Sequence, residues 1–439
     1  MLEIVKRIIL DSQEMHWEHG VPRRLDLKYL PGKASVCVGV RRCGKSTYLF
    51  QLMHRLLREG VTRQNILYVD FFDDRLHDLQ HGSPGIVTDA YYSIYPQKKD
   101  KETVHCFLDE IQVAPGWETF VARLLRTERV SVTLTGSSAN LLSREIASQM
   151  RGRALTWELF PFSFREFLDG EGVKCDPPFS SREQLIVSKV FEKFWETGGF
   201  PEVRNLDQHL RFRVHQEYFH ALLYRDLIER HDISHPRALL DLAHRLITNT
   251  ASLYSINRLA GFLKSLGHKI PKTSVSDYLQ WFEDAYFLFS VPIYSASVTK
   301  RKKNPRKIYC IDHSLAVSVG SGILLNSGHL LENLVFTALR RNFQNIFYYR
   351  TRSGKEVDFV LPNPGAPPLL IQVCESMAGN ATWKRELGAL SEAMAELHTE
   401  RGLVITRNST YEQTSHAQGI RIIAAWRFLL DIESLARQS

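Results

Sequence analysis

The chain has 439 residues, more than one ordinary hydrophobic core accommodates, so about two to four domains are expected. Its 44% hydrophobic and 24% charged residues are typical of a globular protein and exclude a disordered or fibrous chain. A formal net charge of +8 is compatible with a polyanionic partner, and equally with a basic enzyme that has none.

The cysteines and the N-terminus indicate the compartment. None of the six cysteines lies in a CxxC pair or beside a His-rich cluster, which favours a reducing, cytoplasmic environment over a zinc site or a disulfide framework. Lys6 and Arg7 interrupt the apolar N-terminus, unlike a signal peptide, and no stretch approaches the about 20 apolar residues of a membrane helix. We therefore expect no membrane partner. Residues 2–10 predict an amphipathic helix packed on the first domain.

The apolar run at residues 34–38 is followed by a glycine-rich loop and a helical pattern, GVRRCGKSTYLF. A loop around a polyphosphate points successive N–H groups inward, and Gly39 and Gly44 allow the tight turns required. Lys45 would neutralise phosphate charge, and the Ser46 hydroxyl would bind Mg²⁺. The dipole of the helix favours the same anion. The pattern predicts an ATP site formed by Gly39, Arg41, Arg42, Cys43, Gly44, Lys45, Ser46 and Thr47.

Two further strand patterns end in carboxylates. Residues 65–70 end in Asp70, within an acidic cluster that we interpret as a solvated strand end. Residues 104–110, VHCFLDE, end in Asp109 and Glu110, whose side chains take different directions because strand side chains alternate. Asp109 would hold Mg²⁺ through its water shell, and Glu110 would orient and polarise the water that attacks the γ-phosphate. Behind a phosphate loop, this strand is typical of a Walker B element.

Several short motifs follow the strand at residues 130–135. Ser137 comes next and is a candidate sensor of the γ-phosphate, or equally the N-cap of the helical pattern at 139–150. RGR at 151–153 and FPFSFREF at 160–167 come after it. The order of phosphate loop, Asp-Glu strand, LTGSS, RGR and FPFSFREF resembles a bacterial and archaeal family of AAA+ ATPases. Members of that family carry a winged-helix segment and a nuclease-like C-terminal domain.

This resemblance implies an α/β fold with four parts. They are a P-loop AAA+ parallel-sheet core at residues 1–170, a helical lid at 171–234, a winged-helix domain at 235–320 and an α/β restriction-endonuclease-like domain at 321–439. It also implies ATP hydrolysis with Mg²⁺ at Ser46 and Asp109, in a ring-shaped homo-oligomer of about six subunits.

The resemblance also assigns roles to arginines. Arg151 or Arg153, with Arg144 a weaker candidate, would reach the nucleotide of a neighbouring subunit and stabilise the charge that develops on phosphoryl transfer. An ordinary solvated or loop-packing arginine is the alternative. Arg225 would contact nucleotide from the lid, or form an intrahelical pair with Glu229.

The middle of the chain is basic, with 17 Lys and Arg against 11 Asp and Glu between residues 201 and 330. Helical patterns at 237–249, 255–266 and 272–284 precede strand patterns at 286–294 and 307–311, as in a winged helix. A basic hairpin tip between the two strands would contact phosphates, although charge runs are also commonly solvated loops. The candidate DNA-binding residues are Lys272, Thr273, Ser276, Lys300, Arg301, Lys302, Lys303, Arg306 and Lys307.

The last part resembles restriction-endonuclease-like folds, in which a helix carboxylate, a strand Asp and a Glu-x-Lys on the next strand gather a divalent metal. Glu332 and Asp358 match the first two positions, but Gln372 and Cys374 stand at the third. An amide is not a charged ligand and a thiol cannot supply an ammonium. Lys355, Lys384 or Glu375 could substitute from nearby. A degenerate DNA-binding or scaffold domain is favoured over an active nuclease.

These observations predict a DNA-dependent motor that acts on duplex or branched DNA. Four-way junctions are the leading substrate on the family resemblance. The alternatives are a metal-dependent nuclease that ATP regulates, and a signalling switch without action on DNA.

Overall fold

The computed structural model describes residues 1–80, 82–136, 150, 152–174, 177–303, 305–320, 326–375, 380–407, 413–415 and 419–437. The chain divides into two compact units, Met1–Phe160 with Asp284–Tyr286 and Pro161–Glu283 with Phe287–Ser439. Among the described helices, none combines the length and the low charge content that a membrane-spanning segment needs.

The first unit is built on a parallel sheet. Its helices are α1 (Leu2–Glu14), α2 (Lys45–Arg58), α3 (Ile86–Ile94) and α4 (Trp117–Thr127), and its strands are β1 (Ala34–Val38), β2 (Ile66–Asp70), β3 (Val104–Asp109), β4 (Val130–Gly136) and β5 (Ala154–Glu158). The five strands are all parallel, in the order β2-β3-β4-β1-β5. The order places β1 between β4 and β5, at a point where ligands bind beyond the carboxyl ends of the strands. The predicted P-loop ATPase sheet is confirmed.

The predicted N-terminal helix is present as α1 and packs on this sheet. Val5, Ile8 and Ile9 are buried on one of its faces. Gln13 Nε2 donates a hydrogen bond of 3.1 Å to the carbonyl oxygen of Ile66 at the start of β2. The amphipathic spacing of α1 therefore reflects its packing against the core of the first unit.

The second unit begins with helices α5 (Phe164–Gly170), α6 (Ser181–Thr197) and α7 (Gln208–Ala221), and α7 continues to Glu229 with wider π-type turns. Ser163 and Ser180 form capping boxes that start α5 and α6. Arg225 and Glu229 are both exposed, and the contacts of the described residues include no pair between them. The proposed intrahelical pair is therefore not formed.

Residues 236–319 combine helices with a small sheet. They form α8 (Pro236–Thr248), β6 (Leu253–Tyr254), α9 (Ile256–Ser265), α10 (Lys272–Asp284), β7 (Leu288–Val291), α11 (Val298–Lys303), β8 (Arg306–Cys310) and α12 (His313–Val319). The strands are antiparallel in the order β6-β8-β7. Burial of Val275, Tyr278, Leu279 and Phe282 confirms the predicted apolar face of α10. The predicted hairpin is present, because β7 and β8 pair antiparallel, and residues 298–303 of the connection between them form the helix α11.

The rest of the chain has a six-stranded mixed sheet, ordered β13-β14-β12-β11-β10-β9. Its elements are α13 (Ser327–Asn342), β9 (Phe347–Arg350), β10 (Glu356–Asn363), β11 (Ala366–Cys374), α14 (Asn380–Glu396), β12 (Gly402–Thr406), β13 (Gln413–Ser415), β14 (Ile420–Ala424) and α15 (Ala425–Arg437). Val357, Leu370, Leu390 and Val404 belong to one buried apolar cluster that joins α14 to the central strands. This apolar cluster fixes the positions of β10 and β11, the strands that carry Asp358 and Gln372.

Candidate functional site

The loop between β1 and α2 has the geometry of a phosphate cradle. Gly44 immediately precedes α2 with φ 96°, in the left-handed region that glycine adopts readily. A Cβ atom on Gly39 would lie 2.0 Å from the carbonyl oxygen of Leu159, so only glycine fits there. The two glycines therefore act differently, one in a turn and the other in a close approach to the backbone after β5. The positive end of the α2 dipole adjoins this loop.

Lys45 lies inside this loop and is 6% exposed. Its Nζ donates hydrogen bonds to the carbonyl oxygens of Gly39 and Val40 at 3.2 and 3.4 Å. Glu110 Oε1 lies 3.8 Å from the same nitrogen. These contacts place the ammonium where it can neutralise a phosphate.

Asp109 ends β3 and is 1% exposed. Its Oδ1 accepts a hydrogen bond from Thr135 Oγ1, and its Oδ2 accepts one of 3.1 Å from the Tyr68 hydroxyl. Burial raises the pKa of Asp109, although hydrogen bonds from Thr135 and Ser46 oppose this shift. The fold thus brings the two predicted Mg²⁺ ligands, Ser46 and Asp109, into contact. A hydroxyl and a carboxylate are oxygen donors that suit this ion.

Glu110 follows β3 with φ 51°, a conformation that non-glycine residues rarely adopt. Its N–H donates to Thr135 Oγ1 at 3.0 Å, and its Oε2 accepts from Gln112 Nε2 at 2.5 Å. The left-handed turn directs the carboxylate toward Lys45, whereas the Asp109 side chain is buried against Tyr68. The different directions expected for the two carboxylates are confirmed.

Sequence reasoning missed the residues that support these carboxylates. The hydroxyl of Thr135 contacts both the Asp109 side chain and the Glu110 N–H. Asp70, interpreted above as a solvated strand end, lies in register with Asp109, and burial raises the pKa of Asp70 to about 6. Arg23 donates to the carbonyl oxygens of Cys43 and Phe160 at 2.7 and 2.5 Å, which fastens the loop. Strand adjacency could have suggested Thr135, but no signal near Arg23 predicts its contact.

The other predicted nucleotide-site residues lie further from the loop or outside the described part of the chain. Ser137, Arg144 and Arg151 are among the residues that are not described. Arg153 is exposed, and its carbonyl oxygen accepts from the Ala34 N–H at 2.8 Å, at the amino end of β1. Because five extended residues span about 17 Å, the Arg153 backbone lies about one strand length from its own phosphate loop.

Three predicted loop residues differ in exposure. The Arg41 guanidinium lies 5.8 Å from the centroid of the Phe72 ring. Arg42 is exposed with φ 65°, and Thr47 is half-buried.

In the second unit, the two predicted nuclease-like carboxylates, Glu332 on α13 and Asp358 on β10, are brought together by a lysine. Nζ of Lys307, on β8, lies 2.7 Å from Glu332 Oε1, 2.8 Å from Glu356 Oε1 and 2.9 Å from Asp358 Oδ1. Lys307 is 2% exposed. The prediction that Lys307 binds DNA is wrong, because its ammonium is enclosed by these carboxylates.

The charged groups of this cluster shift one another's pKa values. Burial opposes the charged form of Lys307, but Asp358 and Glu332 raise its pKa well above the ordinary value. Burial, followed by the charge of Asp358, raises the pKa of Glu332 to about 8. The Tyr309 hydroxyl donates to Glu332 Oε1 at 2.6 Å. The Lys307 ammonium is therefore shared by Asp358, Glu356 and Glu332, and the raised pKa of Glu332 favours its neutral form.

The remaining features of this cluster do not form a metal site. Gln372 Nε2 donates to Glu386 at 2.7 Å, and burial raises the pKa of the Cys374 thiol to about 12. Two of the suggested substitutes are paired elsewhere, Lys355 with Glu392 at 3.0 Å and Glu375 with Arg407 at 3.1 Å, while the Lys384 side chain is not described. Over the described ranges, no group of three or more His, Cys, Asp or Glu residues could hold a metal ion.

The other candidate DNA-binding residues differ in exposure. Lys272, Thr273, Lys300 and Lys302 are exposed, Arg301 and Ser276 are half-buried, and the Lys303 side chain is not described. Arg306 is half-buried and hydrogen-bonded to the Tyr254 hydroxyl. Among these candidates, the exposed lysines therefore lie on α11 and at the start of α10.

Comparison with known families assigns the class. A model described as an AAA domain matches residues 32–168. Two models described as domains of unknown function, DUF8612 and DUF4143, match residues 188–326 and 327–428. Together with the phosphate loop and the carboxylate pair after β3, the first match makes this protein an ATPase of the AAA+ class.

A full-length relative assigns the family. The uncharacterized protein MJ1544 of Methanocaldococcus jannaschii is 32% identical over 442 residues, covering 97% of this chain and 95% of that protein. The chain belongs to the same family as MJ1544. An uncharacterized protein of Haemophilus influenzae is 27% identical over 327 residues, covering 74% of this chain and 78% of that protein.

Two solved structures are similar at a lower level. The Walker-type ATPase PABY2304 of Pyrococcus abyssi has a TM-score of 0.42 and 15% identity, covering 73% of this chain and 95% of that chain. The Aeropyrum pernix ORC1 protein, solved in complex with DNA, has a TM-score of 0.32 and 13% identity, covering 74% and 92%. Similarity at this level decides nothing about function.

Proposed function

We propose that this AAA+ ATPase is a DNA-dependent motor that remodels duplex or branched DNA, with a four-way junction as the leading substrate. Lys45, Ser46 and Asp109 would bind ATP with Mg²⁺, and Glu110 would orient the attacking water. In a ring of about six copies, Arg151 or Arg153 of a neighbouring copy would stabilise the charge that develops on the γ-phosphate.

The observation that carries this proposal is the arrangement of residues 236–310. A helix, a strand, two helices and a strand pair follow one another, with β8 between β6 and β7. This order is typical of a winged helix, with α10 as the recognition helix. Its buried apolar face leaves Lys272 and Thr273 exposed at the first turn. Such side chains can contact phosphates or base edges.

The cations between the strands of the hairpin add to this proposal. Lys300, Arg301 and Lys302 follow one another on α11, between the two strands of the hairpin. Each lysine or arginine that neutralises a phosphate adds sequence-independent, salt-dependent affinity. With Lys307 buried and Arg306 bound to Tyr254, these three residues carry the electrostatic part of the proposal.

The nuclease alternative is not proposed, because Lys307 already pairs with the carboxylates that would bind its metal. Incubation of plasmid DNA with the protein and Mg²⁺ or Mn²⁺ tests this choice. Cleavage that Asp358→Ala abolishes would establish the nuclease instead.

The decisive experiment is the ATPase rate measured without DNA and with single-stranded, duplex and four-way junction DNA. We expect stimulation by duplex or junction DNA, with the native mass of a ring. An equal rate in all four conditions, with no DNA retained at low salt, would contradict the motor and favour the signalling switch.

Replacing Lys300, Arg301 and Lys302 together by Ala should flatten the salt dependence of DNA binding. Loss of three phosphate contacts lowers the slope of log K against log salt by about 2 to 3 units. Fluorescence anisotropy with a labelled duplex at several salt concentrations measures this slope.

Lys174, Arg182 and Lys189, three exposed cations elsewhere in the second unit, provide the matched triple-Ala control. That control should retain the original slope. If both triple variants keep it, α11 does not belong to the DNA-contact surface.

A further inference from the structure

A polar cavity of about 730 Å³ lies in the second unit and belongs to neither site described above. It is lined by the C-terminal end of α6, the turn at residues 204–207, the first two turns of α7 and Val317 of α12. We call it the α6–α7 cavity. Its volume is typical of small-molecule sites, about 300–1,000 Å³. Its charged lining residues are Lys193, Glu196, Arg204, Asp207 and Arg211.

Arg211 is the most unusual residue of this wall. It is only 7% exposed, and its Nε is buried without a hydrogen-bond partner. Within the described part of the chain, no carboxylate lies at ion-pair distance from its guanidinium. Burial lowers the pKa of Arg211, while Glu196 and Asp207 act from further away in the opposite direction. Arginine nevertheless remains charged in proteins, so this cation has no directly paired counter-ion among the described residues.

Arg204, on the same wall, is a second arginine with a buried N–H group that has no hydrogen-bond acceptor among the described residues. Its NH1 atom is buried without a hydrogen-bond partner, and its Nε lies 3.7 Å from Glu171 Oε1. Glu171 is shared, because its Oε2 is 2.7 Å from Lys193 Nζ. Two arginines with unused donors therefore line one cavity.

In the described part of the chain, neither carboxylate of the wall, Glu196 or Asp207, lies at ion-pair distance from these arginines. Asp207 Oδ1 accepts from the Leu210 N–H and thereby caps α7. The N-terminus of α7, which Asp207 caps, lines the cavity, so the positive end of the α7 dipole adjoins it. An anion bound there would meet two guanidiniums and a helix N-terminus.

We propose that the α6–α7 cavity binds a small molecule through an oxyanion group, a phosphate or a carboxylate, paired with Arg211 and Arg204. The planar guanidinium fork matches both groups. The cavity exceeds one oxyanion in size, so the remainder of the ligand occupies the space near Trp195 and Phe212. This site is independent of the DNA-motor proposal.

The test uses inorganic phosphate and citrate as probes, on the full chain carrying Lys45→Ala so that the phosphate loop does not contribute. At ten times its dissociation constant, a bound anion should raise the thermal midpoint by at least about 2 °C. Calorimetric titration should give one site per chain. Binding of phosphate alone assigns a phosphate ligand, and binding of citrate alone assigns a carboxylate ligand. If neither probe binds, the proposal is overturned.

Arg211→Gln and Arg204→Gln, added separately, should each reduce the affinity at least tenfold. Arg213→Gln, an exposed change on the same helix, is the matched control and should bind normally. Without anion, Arg211→Gln should be at least as stable as its parent, because it removes a buried charge that has no partner. A lower midpoint for that variant would indicate a structural role and count against the proposal, as would undiminished binding.

Discussion

Glu110→Gln is expected to bind ATP normally and to hydrolyse it about 10²–10⁴ times more slowly. The amide retains the size of the carboxylate and can still accept the hydrogen bond from Gln112. It cannot polarise water as a base does, so the nucleotide should remain trapped as ATP. Calorimetry for binding and a phosphate-release assay for turnover separate the two effects.

Two further variants serve as controls for this experiment. Lys45→Ala should lose nucleotide binding itself, because it removes the cation inside the loop. Asp74→Asn, an exposed change in the acidic segment after β2, should leave both quantities unchanged. Normal hydrolysis by Glu110→Gln would show that another group activates the water.

Lys307→Met is expected to destabilise the second unit by about 3–5 kcal/mol, the cost of removing one partner from a buried ion pair. Methionine preserves most of the side-chain volume, so the loss is mainly electrostatic. Asp358 would remain buried without the ammonium now 2.9 Å away. Urea unfolding, monitored by circular dichroism, measures the change.

The deficit of Lys307→Met should grow with pH. Glu332 has a folded pKa of about 8 against an ordinary value of 4.5, so the folded chain holds the extra proton between these values. Stability therefore falls as pH rises through this window. Without Lys307, ionisation of Glu332 and Asp358 is less compensated, and the fall should be steeper than in the unaltered chain. Unfolding curves at pH 5.5 and about pH 8 compare the two slopes.

Lys355→Met is the matched control for this prediction. Lys355 pairs with Glu392 at 3.0 Å, but its side chain is 47% exposed. Exposed pairs contribute about 0–1 kcal/mol. Equal effects of the two lysine substitutions would mean that the ammonium of Lys307 is not needed to balance the buried carboxylates.

Local patterns predicted much of the first unit and its site. The loop from Gly39 to Ser46 could be interpreted from sequence because its chemistry requires particular residues at fixed neighbouring positions. The Asp109-Glu110 pair followed from an apolar strand with carboxylates at its end. The apolar face of α10 followed from helical periodicity alone. In each case the pattern that carries the prediction lies within one element and its adjoining turn.

Charge patterns were less informative. The basic run was interpreted as one phosphate-binding tip, yet Lys302 is exposed whereas Lys307 is buried. The change occurs because residues 298–303 form a helix and Lys307 lies on the central strand of the small sheet. A run of basic residues in a sequence does not show which of its side chains will be buried and which exposed.

By itself, the sequence determined the nucleotide chemistry of this protein, since that chemistry depends on contiguous backbone and side-chain spacing. Only the tertiary structure decided the partners of Lys307, the shared hydroxyl of Thr135 and the uncompensated charge of Arg211. Those features depend on residues far apart in the chain and on exclusion of water, and neither distance nor burial is encoded in a local pattern.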